Sequence, residues 1–407
     1  MPISRKTAWV LYDFANSAFA TTVMAGFFPL FFKQYWHGGQ ATESTFQLGV
    51  ANAAASALIL ITAPLLGAVA DQGRLHKRFL AFFALLGIVA TFALAPLGQG
   101  MSLAALLLYG IGLVGFSGAN IFYDSLLVEV AEPREYERLS SYGFAVGYFG
   151  GGLLFAINVA MALQPQWFGL ASSEQAIKFA FATVAAWWLL FTLPLLWKVG
   201  EKPTSPLNPA LIAAGWRQVV RTLVHIRAHR PAFLFLVAYW FYIDGVDTIV
   251  RMAVDYGLAI GLGWQGLIAA LLLVQFIGFP AAIVFGRLGE RIGTKRAILL
   301  GLVVYCGVTL FAAFLDSARE FYALAVMIGL VQGGVQALSR AYYAHLIPRN
   351  MAAEFFGFYN MLGKFAAVIG PLLVGITAAL FDDPRAGIFS VLILFVIGAV
   401  LLLKVPK

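Results

Sequence analysis

Five ionisable residues, Asp13, Asp124, Asp244, Asp247 and Lys364, fall inside stretches that otherwise read as membrane-spanning helix. Even on the gentlest insertion scale a charge at the bilayer centre costs about 3 kcal/mol. Such groups persist where they face a polar cavity or pair with one another, so they mark the path of a solute. Asp244 and Asp247 stand one turn apart on one helix face. At ~1.5 Å rise per residue they begin ~20 Å into their span, and Lys364 lies ~15 Å into another. Two arrangements suit this set. In one, Asp244 or Asp247 is permanently paired with Lys364 or Arg251 and holds the helices together. In the other, the acids bind an amine or a proton and Lys364 binds a carboxylate; intramembrane ionisable groups favour this second chemistry.

Asp13 and Asn16 share a face of the first span, closer to the membrane surface. Asp13 has three open roles: proton acceptor, substrate ligand or cap of a neighbouring helix. Aligning Pro133 with Pro348 sets Asp124 opposite Ser339, beside Arg340, so opposite charges recur at matching depth on two helices. They are candidates for a gate that pairs in one state and separates in the other. The alternative is that each neutralises a local helix end. Asn120, Tyr123, Gln332, Gln336 and Asn360 add neutral hydrogen-bonding groups, which suit either substrate contacts or interhelical bonds.

The elements that position these residues follow from composition. Charged residues make up 11% of the 407 and mean hydropathy is +0.86, whereas a soluble domain carries roughly 25% charged residues. Lipid must therefore solvate most of the chain. Apolar runs of the required length, ~20 residues, occur at 8–35, 46–70, 79–99, 102–129, 140–163, 176–198, 231–256, 263–286, 297–315, 320–346, 354–381 and 386–405. The first is too long for a secretory leader, carries Asp13 and Asn16, and has no small-x-small cleavage site, so it reads as a retained helix. Twenty Lys and Arg fall on the side of the N-terminus against five on the other, with Arg340 and Lys364 left within the membrane. The positive-inside rule then puts both termini in the cytoplasm. Residues 199–230 form the longest connection, and Pro209–His229 alternates apolar and basic residues at helical spacing. This predicts an amphipathic helix on the inner leaflet or a solvated linker helix. Trp9, Trp36, Trp167, Trp197 and Trp264 fall near span ends, as interfacial anchors do.

Several function classes drop out. The net charge of +8 is scattered over short loops with no basic patch, which excludes nucleic-acid binding. Cys306 is the single cysteine and the five histidines are dispersed, so no disulfide, metal site or cofactor is expected. No Gly-x-x-x-x-Gly-Lys-Ser/Thr loop exists to bind ATP. A nucleophile–base set is missing too, and no loop is long enough for a sensor's output domain.

The chain repeats internally. Gly67-Ala-Val-Ala-Asp71-Gln-Gly73-Arg74-Leu-His-Lys77-Arg78 follows the second span, and Gly286-Arg-Leu-Gly-Glu290-Arg-Ile-Gly293-Thr-Lys295-Arg296 follows the eighth. Pro133-Arg134 then Gly143-Phe144 likewise match Pro348-Arg349 then Gly357-Phe358. A six-helix unit is therefore duplicated in the same direction. The paired loops resemble the helix 2–3 and 8–9 motif of the major facilitator superfamily, over the whole chain. The first loop differs in carrying Gln72 directly after its acid. More narrowly, Tyr12-Asp13-Phe14-Ala15-Asn16-Ser17-Ala18-Phe19, Tyr242-Ile-Asp244-Gly245-Val246-Asp247-Thr248 and Gln336-Ala337-Leu338-Ser339-Arg340 resemble the fungal autophagy-linked vacuole effluxers and their bacterial relatives.

That resemblance implies an all-α membrane protein of twelve transmembrane helices in two six-helix bundles related by a pseudo-two-fold axis, with both termini cytoplasmic. The bundles would be 1–198 and 231–407, joined by the cytoplasmic linker 199–230. Helices 1, 4, 7 and 10 would line a central cavity, and Asp71 and Glu290, with Asp124 and Arg340, would serve gating. The family's fungal members are associated with releasing amino acids from the vacuole. A zwitterion needs an acid for its ammonium and a base for its carboxylate, which a cavity of both signs supplies. The expectation is a secondary transporter of amino acids or related zwitterions, working by alternating access and coupled to protons. It would sit in the inner membrane of a bacterial cell, with no obligate protein partner. Export of amphipathic drugs or metabolites is the alternative, because 36 Phe residues could line an aromatic cavity, although most of them are expected to face lipid. Glycines Gly143, Gly147, Gly151 and Gly152 recur at near four-residue spacing on helix five, which permits close helix approach. The superfamily's antiporter motif resembles Gly147-Tyr148-Phe149-Gly150-Gly151-Gly152, with Tyr148 in place of its proline.

Overall fold

In the computed structural model the chain is described over residues 3–38, 41–201, 204, 207–259, 263–315, 317–381 and 384–406. Side chains at 41–42, 226–227, 251–259, 364–369, 371, 379 and 384–386 lie outside that description. The described residues form an all-helical bundle. Eleven helices are long and apolar enough to cross a membrane: α1 Arg5–His37, α2 Glu43–Gly73, α3 His76–Ala93, α4 Ser102–Val130, α5 Pro133–Leu163, α6 Ser173–Lys198, α7 Arg230–Val250, α8 Trp264–Ile292, α9 Thr294–Ala312, α10 Ala318–Leu346 and α12 Gly387–Lys404. Between the last two lies α11, Ala352–Phe381, thirty residues long. A helix is the form such apolar runs must take, because lipid offers no partner for a backbone amide.

Local chemistry sets the ends. Ser4 caps α1 by accepting from the Thr7 amide at 3.1 Å, and Ser317 and Glu320 form a reciprocal capping box at α10. Gly38 ends α1 in the left-handed region, at φ 62°, which costs a glycine nothing. Midway, α1 widens into π-helix over Phe19–Phe27 and again over Phe32–His37. Each widening rotates the face that follows, a device common at functional sites.

The repeat seen in the sequence reappears in the packing. Helix α2 lies against α11 and α5 against α8, and these are the main contacts between the two halves. Lys295 Nζ donates to the carbonyls of Leu403 and Val405, Tyr342 donates to that of Pro406, and Lys6 pairs with Glu135. Both ends of the described chain therefore lie on one face of the bundle, the terminus-bearing face. Aliphatic side chains such as Ile61, Val89, Leu190, Val284 and Val303 project outward as a lipid-facing belt.

Two expectations are corrected here. Trp167, Trp197 and Trp264 are exposed at the rim, but Trp9 and Trp36 are fully buried. Proximity to a span end does not decide which way a helix turns its side chain. Of the described Phe residues sixteen are buried, ten half-buried and nine exposed, so only about a quarter lie fully open towards lipid. Phe28 stacks on Tyr109 at 4.0 Å and Tyr305 on Phe395 at 5.3 Å, contacts that acyl chains do not offer.

Candidate functional site

Seven helices, α1, α4, α5, α7, α8, α10 and α11, enclose a cavity of about 510 Å³. Along α10 its lining runs from Phe321, in the first turn, to Arg340, nineteen residues on, or ~29 Å at ~1.5 Å per residue. The cavity thus extends from the far end of the bundle to a floor a turn and a half short of the terminus-bearing face. The walls carry acids, amides and hydroxyls from both halves, with aromatic rings between them.

Glycines on α5 bring α1 to this wall. A Cβ on Gly143 would meet the Asp13 carboxylate and, at 2.9 Å, Arg340 Nη2; on Gly147 it would lie 2.7 Å from Ser17 Oγ. With both positions bare, Asp13, Asn16, Ser17 and Thr21 of α1 face the cavity. Asn16 donates to Asn120 at 2.6 Å, tying α1 to α4, and Gln275 of α8 donates to Thr21 at 2.6 Å, joining the halves.

At the floor Arg340 of the second half fans out onto the first. Nη1 donates to Asp124 Oδ1 at 3.1 Å and Nη2 to Asp13 Oδ2 at 3.2 Å. Nε donates to Ser140 Oγ at 2.8 Å, and Nη2 also reaches the Ser140 carbonyl at 3.0 Å. The Ser140 hydroxyl in turn donates a hydrogen bond to the Ala337 carbonyl of α10 at 2.7 Å. The guanidinium carbon lies 4.5 Å from the Phe144 ring, 4.7 Å from Trp9 and 5.3 Å from Tyr123. Such rings attract a cation through their negative faces. Tyr123 donates to Asp13 at 2.7 Å and Asn360 to Asp124 at 3.1 Å. Two carboxylates thus share one guanidinium, all three nearly buried, leaving a formal charge of −1. Arginine suits this place because its planar fork serves several acceptors and keeps its proton.

Below the floor two seams close the terminus-bearing end. In the first, Asp71 of α2 accepts from the amides of Ala353 and Glu354, at 3.1 and 2.8 Å, so it caps the start of α11. His76 lies 2.8 Å from the same carboxylate. Gly67 permits the approach, since a Cβ there would collide with the Ala353 carbonyl oxygen. In the second, Gly286 of α8 meets Ser141 of α5, where a Cβ would come within 2.6 Å of its hydroxyl. Glu137 of α5 accepts from Thr294 at 2.6 Å and lies 2.9 Å from His345.

The sequence candidates distribute as follows. Asp13, Asn16, Asn120, Tyr123, Asp124, Asp247, Gln332, Gln336, Arg340 and Asn360 all line the cavity. Asp244 does not: it is fully buried, and both its oxygens receive the Gly370 amide at 3.0 and 3.1 Å, where α11 meets α7. Three residues rotate a helix by 300°, so Asp244 and Asp247 point some 60° apart, enough to divide them between a helix contact and the cavity. Glu290 is exposed and makes no seam contact among the described residues; Glu137, from the opposite helix, supplies the acid of the second seam. The side chains of Lys364 and Arg251 lie outside the described residues. Sequence reasoning missed Trp9, Ser140, Glu137 and Gln275. Trp9 had the wrong reading attached to it, and the other three look like ordinary helix polar residues until the halves are docked.

A family profile described as "Vacuole effluxer Atg22 like" matches residues 38–135 and 128–407. The chain is 39% identical over 406 residues to an "uncharacterized MFS-type transporter YxiO" of Bacillus subtilis, spanning 99% of this chain and 95% of that one. Autophagy-related protein 22 of Eremothecium gossypii is 24% identical, over 96% of this chain and 88% of its own. Among solved structures, the proton:xylose symporter XylE superimposes with TM-score 0.72 at 15% identity, over 99% of this chain and 94% of that one. A bacterial homologue of the iron transporter ferroportin, in an outward-facing state, gives 0.67 at 16% identity over 98% of both chains. At those identities the structural likeness concerns the fold alone.

Proposed function

We propose, from the premise that the chain belongs to the Atg22-like vacuole effluxer family of multi-pass major facilitator transporters, that it moves a small zwitterion, an amino acid or close relative, with proton coupling. The observation that carries this reading is the cavity floor, where two carboxylates of the first half share one guanidinium of the second. A substrate carboxylate is chemically equivalent to those of Asp13 and Asp124, so it competes for Arg340. Its ammonium suits the acids it displaces or Asp247 across the cavity, and Lys364 is a second candidate cation beside cavity-lining Gly363. Opening the terminus-bearing end draws Arg340 away from Asp13 and Asp124. Two carboxylates then face each other without a cation, which favours taking up a proton or the substrate's ammonium. Alternating access and coupling thereby use the same residues. With the basic loops cytoplasmic, the cavity described here faces outward.

A thermal-shift screen followed by uptake into proteoliposomes tests the reading. A ligand at a hundred times its Kd adds about 2.7 kcal/mol to the state it binds. Amino acids should raise the melting point while their amides and α-keto analogues do not, and an imposed pH gradient should drive uptake. Stabilisation by amphipathic cations alone would replace the zwitterion with the drug-export reading, for which the rings of Phe116, Tyr148, Tyr239 and Tyr359 in the cavity wall provide a surface. Uptake of an amino acid indifferent to the gradient would remove proton coupling only.

A further inference from the structure

Between α6 and α7 the chain forms a helix over Pro209–Val224, capped by Asn208, whose Oδ1 accepts from the Leu211 amide at 2.8 Å. At 100° per residue its side chains fall into three sectors. Leu211, Gly215, Val219 and Thr222 are buried. Leu211 packs on Val69 and Leu75, and a Cβ on Gly215 would come within 2.6 Å of the Val69 side chain. Ile212, Trp216, Val220 and Leu223, rotated by about 100° from the first set, are exposed large apolar groups, Trp216 by 58%. Arg217 and Arg221, a further third of a turn on, are exposed as well. Protein, apolar and basic sectors at such spacing are what a helix needs where protein, lipid and water meet.

The buried sector also crosses between the halves. Gln218 donates to Glu354 at the start of α11 and receives Gln72 at the end of α2. Glu354 is itself fully buried. Thr204 fastens the same connection to the carbonyls of Gln72 and Gly73, at 3.1 and 3.0 Å. When α11 parts from α2, Gln218 can follow only one of them. Charge identifies the occupant of the exposed sectors. No acidic residue occurs between Glu201 and Asp244, while Lys202, Arg217, Arg221, Arg227 and Arg230 do.

We propose that this helix is a membrane-seated clasp, which binds the anionic surface of the leaflet at the terminus-bearing face and, so seated, holds α2 and α11 together. Lipid composition then biases the closed end with no substrate present, and loss of this effect leaves the transport reading untouched.

The test uses the full chain with Cys306 replaced by Ala and spin labels on cysteines at Arg134 and Asn350, both exposed on the terminus-bearing face, one in each half. Distance distributions are compared in phosphatidylcholine vesicles and in vesicles where anionic phosphatidylglycerol replaces part of it. The anionic vesicles should raise the closed-to-open ratio roughly five- to thirtyfold, the factors expected for the attraction of one or both arginines to such a surface. R217Q/R221Q should abolish the response, and so should Q218A, in which the helix still seats but no longer bridges. All these side chains lie at the protein surface or its edge, and unchanged melting points verify folding. An unresponsive wild type, or a response that survives R217Q/R221Q, overturns the proposal.

Discussion

Replacing Arg340 with Lys keeps the charge and removes the fork, which separates electrostatics from geometry at the cavity floor. The guanidinium makes four hydrogen bonds to the first half, from Nε and both Nη atoms. An ammonium donates from a single nitrogen and cannot span Asp13, Asp124 and both Ser140 oxygens. If two of the four are lost, at about 1.5–3 kcal/mol for a charge-assisted bond, the closed end weakens by ~3–6 kcal/mol. At 1.4 kcal/mol per decade that is a shift of roughly a hundred- to ten-thousandfold towards the open form. Weaker contact with the Trp9, Phe144 and Tyr123 rings adds to it. The distance between labels at Arg134 and Asn350 reads the populations directly. Transport should fall because the open form becomes the resting state, while the protein still melts cooperatively. An R340K protein that folds and keeps the wild-type distance distribution would refute the claim that the fork closes this end.

Other perturbations have distinct signatures. Gly67→Ala forces α2 off the Ala353 carbonyl, backbone that cannot give way, so the same distance should lengthen. Asp71→Asn keeps one acceptor for two amides at the start of α11; a lost cap costs about 1–2 kcal/mol, and the open form should rise about tenfold. Asp244→Asn should lower the melting point by weakening the Gly370 contact, about 1–3 kcal/mol, and leave apparent substrate affinity unchanged, since Asp244 is outside the cavity. Exchanging Asp124 and Arg340 should restore little transport, because a carboxylate at 340 would face Asp13.

The parts of this arrangement that were legible in the sequence are those written twice. The duplicated Pro-Arg landmarks set Asp124 beside Arg340 at the right depth because both halves use the same helix length between landmark and cavity. Asp13 is absent from the repeat logic. Its arrival at Arg340 depends on how far bare glycines on α5 let α1 approach, which a single sequence does not specify. Glu290 lies outside the second seam for a related reason: a loop motif names residue types, whereas the seam needs one acid from either side, and Glu137 fills that place. Asp244 and Asp247 show the limit of shared-face reasoning, since 60° of rotation suffices to part them. The amphipathic pattern of Pro209–Val224 was readable, but its bridge through Gln218 depends on two helices distant in sequence.

The central claim is that the shared arginine seals one end of a path whose two ends open in turn. The most direct measurement pairs two distances in one preparation, Arg134 to Asn350 at the terminus-bearing face and Gln166 to Arg319 at the opposite face, with a transported amino acid added and the pH lowered. The account predicts that the first lengthens as the second shortens. Distances that stay fixed during turnover, or that lengthen together, would contradict it.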